Sequence, residues 1–312
     1  MDRRVDLGVW PGPPGWGGAG VVVGVSQDMQ GEISDRFRSL AAIPESQIGL
    51  AEGAFVLAAE ARADLDIETG LTSIGELVDR MRPLFDAADS PSGGVAALNH
   101  AFFELERFRG NQERYDDPRN SDLAEVLTSR RGLPITLSVL YVELARRLGL
   151  EAYGVGFPGH FLAKIVGVSD SLEGEIIVDP FFARTLRREE CAERLRAAVD
   201  EDGEPLEVDA RAWLQPARAV DIYARMLNNL KILYLRDGDG LSALGCFDRI
   251  LVLQPDSAPE YRDRGYLLEQ LDCVRPAIDD YSRFIELATD ADEALHIRRR
   301  RDALALRKPA LN

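Results

Sequence analysis

The sequence predicts an α+β fold, in which a mostly helical domain with a small antiparallel sheet precedes an all-α region of helical repeats. Three observations support this prediction. Apolar residues recur at helical spacing over about 32–108 and again over 134–148. Short β-prone runs then follow, at 152–157, 161–167 and 175–181. From residue 216 onward the pattern is helical, and this part of the chain matches itself when shifted by one tetratricopeptide period.

Composition sets the first limits on function. A chain of 312 residues with 46% hydrophobic content predicts about two domains. Its 53 acidic and 37 basic residues give a net charge of -16, which disfavours nucleic acid and anionic lipid as partners. The three cysteines show no metal-ligand or disulfide spacing, so we expect no metal, no cofactor and a cytoplasmic location. The sequence contains no uninterrupted apolar run of about 18 residues, so it predicts no membrane-spanning helix.

The first elements follow from glycine, proline and apolar spacing. Residues 1–28 are interrupted by Gly and Pro and are predicted to be a flexible leader, before a first domain over 29–205. Ser73 and Glu76 are spaced as a helix capping box. Two helix faces are predicted from apolar residues three or four apart: Ile74, Leu77, Met81 and Leu84, then Val95, Leu98, Phe102 and Leu105.

A polar segment over 110–122 separates these helices from the next, and its Asn, Asp, Pro and Gly favour irregular backbone. Asp122 is placed to cap a short helix. Pro134 suits the first turn of a buried helix that Gly149 ends. Four residues are predicted to order the polar loop, with lining of a cleft as the alternative: Tyr115, Asp116, Asn120 and Ser121.

The β-prone runs predict an antiparallel sheet, since short polar turns join them. A charged helix over 187–199 and an acidic linker over 201–209 come next. These two segments separate the first domain from the helical repeats.

The self-match places Ala243 on Ala277 and Phe247 on Tyr281, a period of about 34 residues that is typical of tetratricopeptide helix pairs. We therefore predict a tetratricopeptide-repeat region over 216–312. Its predicted parts are repeats at about 222–255 and 256–289 and a capping helix at 290–306. Such a region is expected to hold a protein or peptide partner.

One constellation points to chemistry. A helix followed by strands that carry a His and then an Asp is the arrangement of papain-like and transglutaminase-like thiol enzymes. Here the candidates are His160 and Asp179, which neighbouring antiparallel strands would bring side by side. The structural alternative is that His160 caps backbone carbonyls in its turn and Asp179 pins a turn through backbone amides.

Three segments carry a resemblance to a known family: RRGLPITLSVLY, GFPGHF and VDPF. With the repeats after them, they resemble the SirB-type transglutaminase-like family over about Ala51 to Leu287. The resemblance implies a transglutaminase-like, papain-like fold for the first domain. It also implies a cytoplasmic bacterial protein of poorly defined biochemical role.

In related active enzymes the nucleophilic Cys begins the helix in a Gly-x-Cys context, where the helix dipole lowers its pKa. The resemblance places Pro134 at that position. A slip of one or two residues gives Thr136 and then Ser138, but a hydroxyl ionises far less readily than a thiol of pKa about 8.5. The cysteines of this chain are more simply interpreted as packing residues: Cys191, Cys246 and Cys273.

Two functional hypotheses result. The first is a non-catalytic interaction or regulatory protein that combines a degenerate transglutaminase-like domain with partner-binding repeats. The second is an amide-bond hydrolase or acyl transferase in which His160 is the base, Asp179 orients it, and Thr136 or Ser138 attacks. A third possibility is that the repeat helices only cover the first domain.

Overall fold

A computed structural model describes residues 35–42, 49–62, 65–171, 174–199 and 210–307. The predicted leader and the predicted acidic linker lie outside the described residues. The helices are α1 (Asp35–Ala42), α2 (Leu50–Ala61), α3 (Ile67–Asp86), α4 (Pro91–His100), α5 (Leu123–Ser129), α6 (Pro134–Arg147), α7 (Arg188–Val199), α8 (Ala210–Trp213), α9 (Ala219–Asp237), α10 (Gly240–Leu253), α11 (Ala258–Gln270), α12 (Val274–Leu287) and α13 (Ala291–Ala305). The strands are β1 (Arg109–Gly110), β2 (Arg131–Gly132), β3 (Glu151–Phe157), β4 (His160–Val166), β5 (Glu175–Asp179) and β6 (Arg184–Leu186).

The chain divides into two compact units. One comprises residues 33–230 and 249–256, and the other includes 231–248 and 257–312. The fold class is confirmed, because a mixed domain with a small antiparallel sheet precedes an all-α region. The predicted domain boundaries, 29–205 and 216–312, stay a prediction. No helix in the described part of the chain is both long and apolar enough to cross a membrane.

The sheet of the first unit has the order β3-β4-β5-β6, and every neighbouring pair is antiparallel. One face packs on α7 through a fully apolar cluster, in which Leu162 and Ile177 meet Cys191 and Leu195. Residues of the opposite parity, such as Ala163 and Val178, are also completely buried. Both faces of the sheet are therefore covered, as expected for strands with long apolar runs.

Helix α6 is the central element of this unit. Pro134 occupies its first turn, where a missing backbone N–H costs nothing. The helix is buried along residues 134–145 and contacts β3 and β4. Gly149, with a φ of 98°, follows the helix as the left-handed residue that ends it.

Several predicted details are wrong. Ser73 lies inside α3, where its hydroxyl donates to the Thr69 carbonyl, and the true cap is Asp66. Leu84 and Leu105 are 40% and 57% exposed, so the apolar faces end before them. The sequence interpretation also missed two short features, the parallel pair β1–β2 and the edge strand β6.

The start of α9 belongs to the first unit. The Tyr223 ring lies against Gly53 of α2, where a Cβ atom would be only 2.1 Å from the ring. The Tyr223 hydroxyl donates to the Gly49 carbonyl at 3.3 Å. Gly53 therefore permits a close approach that any larger residue would block.

The second unit repeats one packing arrangement at the tetratricopeptide period. The Phe247 ring lies 4.5 Å from the Lys231 ammonium. At the equivalent positions, the Tyr281 ring covers Gly265, where a Cβ atom would lie 2.6 Å from it. Ala243 and Ala277 are both completely buried, so the helices of each pair pack closely through a small residue.

A charged cluster joins three helices within this unit. Arg264 of α11 donates to Asp248 of α10 at 2.6 Å and to both oxygens of Asp280 of α12 at 2.7 Å. Their side chains are only 15%, 11% and 7% exposed. Burial raises the pKa of Asp280 above its usual range, although Arg264 opposes the shift. One guanidinium therefore bonds to two largely buried carboxylates.

We expect Arg264→Met to lower the free energy of unfolding by about 3 kcal/mol, because it leaves two buried carboxylates without their cation. The loss in unfolding free energy relative to the wild type should shrink as the pH falls through the pKa values of the two carboxyl groups, because protonation removes their negative charge. Urea unfolding at several pH values measures both effects. As a control, Arg298→Met removes an exposed arginine of α13 and should change stability by less than about 0.5 kcal/mol. Equal losses in the two variants would contradict the prediction.

Candidate functional site

His160 begins β4 and is held by a tight hairpin. It pairs with Phe157 across a two-residue turn, Pro158 and Gly159. The φ of Gly159 is 64°, and proline followed by such a glycine is typical of a type II turn. The hairpin sequence GFPGHF therefore fixes the direction of the imidazole.

Asp179 ends β5 on the same face of the sheet. Ala163 is opposite Val178, so continuing that register makes His160 and Asp179 diagonal neighbours. His160 Nε2 lies 2.8 Å from Asp179 Oδ1. Asp179 is completely buried, whereas the His160 side chain is 12% exposed. The structure thus brings together the two residues that the sequence singled out.

The Asp179 carboxylate has further partners. Oδ1 also accepts the backbone N–H of Phe182 at 3.2 Å, so the carboxylate pins its own turn as well. Oδ2 lies 3.5 Å from Arg194 Nη1 and accepts no hydrogen bond from any described residue. Asp179 therefore combines the structural role expected of a turn aspartate with a direct bond to the imidazole.

Aromatic rings surround His160. The Phe182 ring stacks on the imidazole with centroids 5.7 Å apart, and the Phe181 ring approaches edge-on at 6.0 Å. Tyr115, from the loop before α5, packs edge-on against Phe181 at 5.9 Å. Ala183 has a φ of 53°, a strained value for a residue with a side chain, and it completes the turn that carries both phenylalanines.

Backbone hydrogen bonds join this turn to the start of α6. The Gly110 N–H donates to the Phe181 carbonyl at 3.0 Å, and the next N–H, of Asn111, donates to Gly132 at 3.2 Å. Leu133 in turn donates to the Asn120 carbonyl at 3.1 Å. The loop over 110–122 therefore links the α6 N-terminus to the turn after Asp179.

Asn120 orders that loop, which is the first of its two predicted roles, the other being to line a cleft. Its amide nitrogen donates to the carbonyls of Arg114 and Tyr115, and its amide oxygen accepts from Asn111. Ser121 is buried, and its hydroxyl has no hydrogen-bond partner among the described residues. Tyr115 is 47% exposed, which leaves its ring available at the surface of the site.

The candidate hydroxyl nucleophiles do not bond to the imidazole. Pro134 forms the first turn of α6, where the resemblance places a Cys. Thr136 is completely buried, and its hydroxyl makes no hydrogen bond with any described residue. The Ser138 hydroxyl donates to the Phe161 carbonyl at 3.3 Å. Catalytic roles for His160, Asp179 and Thr136 stay a prediction.

The cysteines are free and buried. Cys191 belongs to the apolar cluster between the sheet and α7. Burial, helped by the nearby Glu190 and Asp179 carboxylates, raises the pKa of the Cys191 thiol to about 11. A thiol that resists ionisation is a poor nucleophile, which fits the packing role expected for Cys191.

Arg225 was missed by the sequence interpretation. It lies on α9, yet its Nη2 donates to the carbonyls of His160 at 2.7 Å and Phe157 at 3.3 Å. The guanidinium also lies 5.5 Å from the Phe161 ring centroid. The partners are about 65 residues away in the chain, and no local pattern signals such a contact.

The described residues contain no group of three or more His, Cys, Asp and Glu side chains that is placed to hold a metal ion. The expectation of no cofactor stays a prediction.

Comparison with known proteins identifies the family. A model described as "Transglutaminase-like superfamily" matches residues 68–228, and a "Tetratricopeptide repeat" model matches 230–302. A "UPF0162 protein" of Xylella fastidiosa (strain 9a5c) is 36% identical over 253 residues, which cover 80% of this chain and 88% of the relative.

More distant relatives agree. "UPF0162 protein PA3419" of Pseudomonas aeruginosa is 31% identical over 82% of this chain and 91% of its own length. "Protein SirB1" of Salmonella typhimurium is 29% identical over 53% of this chain and 58% of its own length. No solved structure gives a significant match. The chain therefore belongs to the transglutaminase-like superfamily, as a SirB-type member with C-terminal tetratricopeptide repeats.

Proposed function

We propose that this protein is a non-catalytic interaction or regulatory module, in which repeats hold a protein partner and the transglutaminase-like domain has lost its nucleophile. One observation carries the proposal: Pro134 stands at the start of α6, and no hydroxyl or thiol of the described residues bonds to the His160 ring. A nucleophile of this class is activated by a hydrogen bond to its base. Three free, buried thiols fit a reducing cytoplasm.

The repeats supply a candidate surface. Ile232, Tyr266 and Arg300 occupy equivalent positions, one tetratricopeptide period apart, on the first helix of successive repeats. We call these three residues the repeat stripe. The Arg300 guanidinium lies 4.8 Å from the Tyr266 ring, so neighbouring members of the stripe share one face. Ile232 is 41% exposed. An aromatic, an aliphatic and a cationic side chain in a row suit a peptide or partner helix.

The alternative is an acyl transferase or amide-bond hydrolase, supported by the intact His160–Asp179 hydrogen bond. It requires Thr136 or Ser138 to attack. Because Ser138 is bonded to a strand carbonyl and Thr136 is sealed from solvent, we rank this alternative second.

We expect Ile232→Asp to abolish capture of the partner, because it places a charge in the centre of an apolar contact. Photo-crosslinking of the full-length protein in a bacterial extract, read by quantitative mass spectrometry, measures the capture. The matched control is Leu241→Asp, since Leu241 is a 55% exposed leucine on α10, the second helix of the pair. The proposal fails if both variants capture the same proteins as the wild type, or if the wild type captures none above background.

A second prediction tests whether only the nucleophile has been lost. Pro134→Cys should give a thiol whose pKa is about one unit or more below 8.5, because the helix N-terminus and His160 both favour the thiolate. Thiolate ultraviolet absorbance, titrated with pH and compared with the wild type, measures this pKa directly. The native Cys191 does not interfere, since burial raises its pKa to about 11.

The control adds His160→Ala to Pro134→Cys, and the thiol pKa should then rise. A thiol that titrates above 8.5 whether or not His160 is present would show that the start of α6 and the imidazole do not form one site.

A further inference from the structure

Arg225 has no acidic partner among the residues that the structure describes. Several other arginines with mostly covered side chains pair with carboxylates, as in Arg130–Glu106, Arg188–Glu175, Arg194–Asp179, Arg249–Glu60 and Arg264–Asp280. Arg225 forms hydrogen bonds only to backbone carbonyls, and no carboxylate of the described residues lies within ion-pair distance. Acidic residues outnumber basic ones by 53 to 37, so this lack of a partner does not reflect a shortage of acids.

The guanidinium still has donors to offer. Its Nη2 is used by the carbonyls of Phe157 and His160, whereas Nε and Nη1 donate to no described residue. Neither atom is among the buried side-chain nitrogens that lack a partner, so both remain open to solvent. Burial lowers the pKa of Arg225, and the Tyr115 phenol opposes that shift.

Exposed aromatic rings lie around His160, the residue whose carbonyl accepts from Arg225. Tyr115 and Phe182 are each 47% exposed, although both are large and apolar in part. Phe181 touches both rings, at 5.9 Å from Tyr115 and 5.0 Å from Phe182. Phe182 also stacks on His160, whose carbonyl holds Arg225. The imidazole and the rings thus form one cluster, and Arg225 is held at the same hairpin through the His160 carbonyl.

We propose that Arg225 binds a carboxylate whose apolar or aromatic neighbouring group packs on Tyr115 and Phe182, as the C-terminal residue of a peptide would. A guanidinium forms strong, charge-assisted hydrogen bonds to a carboxylate. One uncompensated positive charge matches one carboxylate better than a doubly charged phosphate. This site does not depend on the partner proposed for the repeat stripe.

The probe is N-acetyl-phenylalanine, with N-acetyl-phenylalaninamide as the matched neutral compound. Titration into the full-length protein, followed by ¹H–¹⁵N spectra, gives a Kd for each. We expect the carboxylate to bind about tenfold or more tightly than the amide, because only the carboxylate pairs with Arg225. Equal binding of the two compounds, or tighter binding of inorganic phosphate, would overturn the proposal.

Substitutions of Arg225 distinguish its binding of a carboxylate from its hydrogen bonds to the β3–β4 hairpin. Arg225→Gln retains a donor for the strand carbonyls but loses the charge, and it should weaken the carboxylate about tenfold while leaving the amide unchanged. Arg225→Lys retains the charge and should preserve part of the preference for the carboxylate. Arg218→Gln, just before α9, is the control and should preserve all of it. The proposal is wrong if Arg225→Gln and Arg218→Gln bind the carboxylate alike. Should Arg225→Gln unfold, loss of the preference in a folded Arg225→Met variant replaces it as the decisive measurement, and an unchanged preference there would count against the site.

Discussion

Asp179 is a completely buried carboxylate, and the arrangement of the site follows from what its charge requires. Such a charge is costly inside a protein unless donors surround it. Here its partners come from three places: the His160 imidazole and the Phe182 backbone N–H form hydrogen bonds to it, and the Arg194 guanidinium of α7 lies 3.5 Å away as an ion-pair partner. Each of them fixes a different element around the sheet. The hairpin, the turn after β5 and α7 are therefore positioned together.

A second carboxylate on this face of the sheet is also held by cationic partners from the sheet and from α7. Lys164 and Glu175 are diagonal neighbours on β4 and β5, 2.8 Å apart, and Arg188 of α7 completes the group at 2.6 Å from Glu175. Burial raises the pKa of Glu175, but the two cations lower it by more, so this pKa lies below its usual value. These paired charges form a preorganised framework on one face of the sheet. That property suits recognition as well as it suits catalysis.

Much of the fold could be predicted from the sequence because its signals are local. Apolar spacing gave α6 and the strands, Pro134 and Gly149 marked the ends of α6, and the tetratricopeptide period gave the repeat register. The Ser73 capping box was wrong because Asp66, earlier in the chain, caps a longer helix. The short strand β6 was missed because three residues carry too little periodicity.

Some residues of the candidate site could likewise be predicted from the sequence, and others could not. His160 and Asp179 were found because their order along the chain is typical of thiol enzymes, and strand pairing supplied the contact. Arg225 was not found, since it reaches the hairpin from a helix that the sequence assigned to the repeats. Nor could the sequence show that Ser138 is bonded to Phe161 rather than free to react. Such facts depend on tertiary packing alone.

We propose that His160 and Asp179 persist without a nucleophile to activate. The most direct measurement exposes the wild type and His160→Ala to a reactive acyl ester and compares covalent adducts by intact-mass and peptide mass spectrometry. Our account predicts the same slow, scattered modification in both proteins. An adduct on Thr136 or Ser138 that forms in the wild type and disappears in His160→Ala would contradict it.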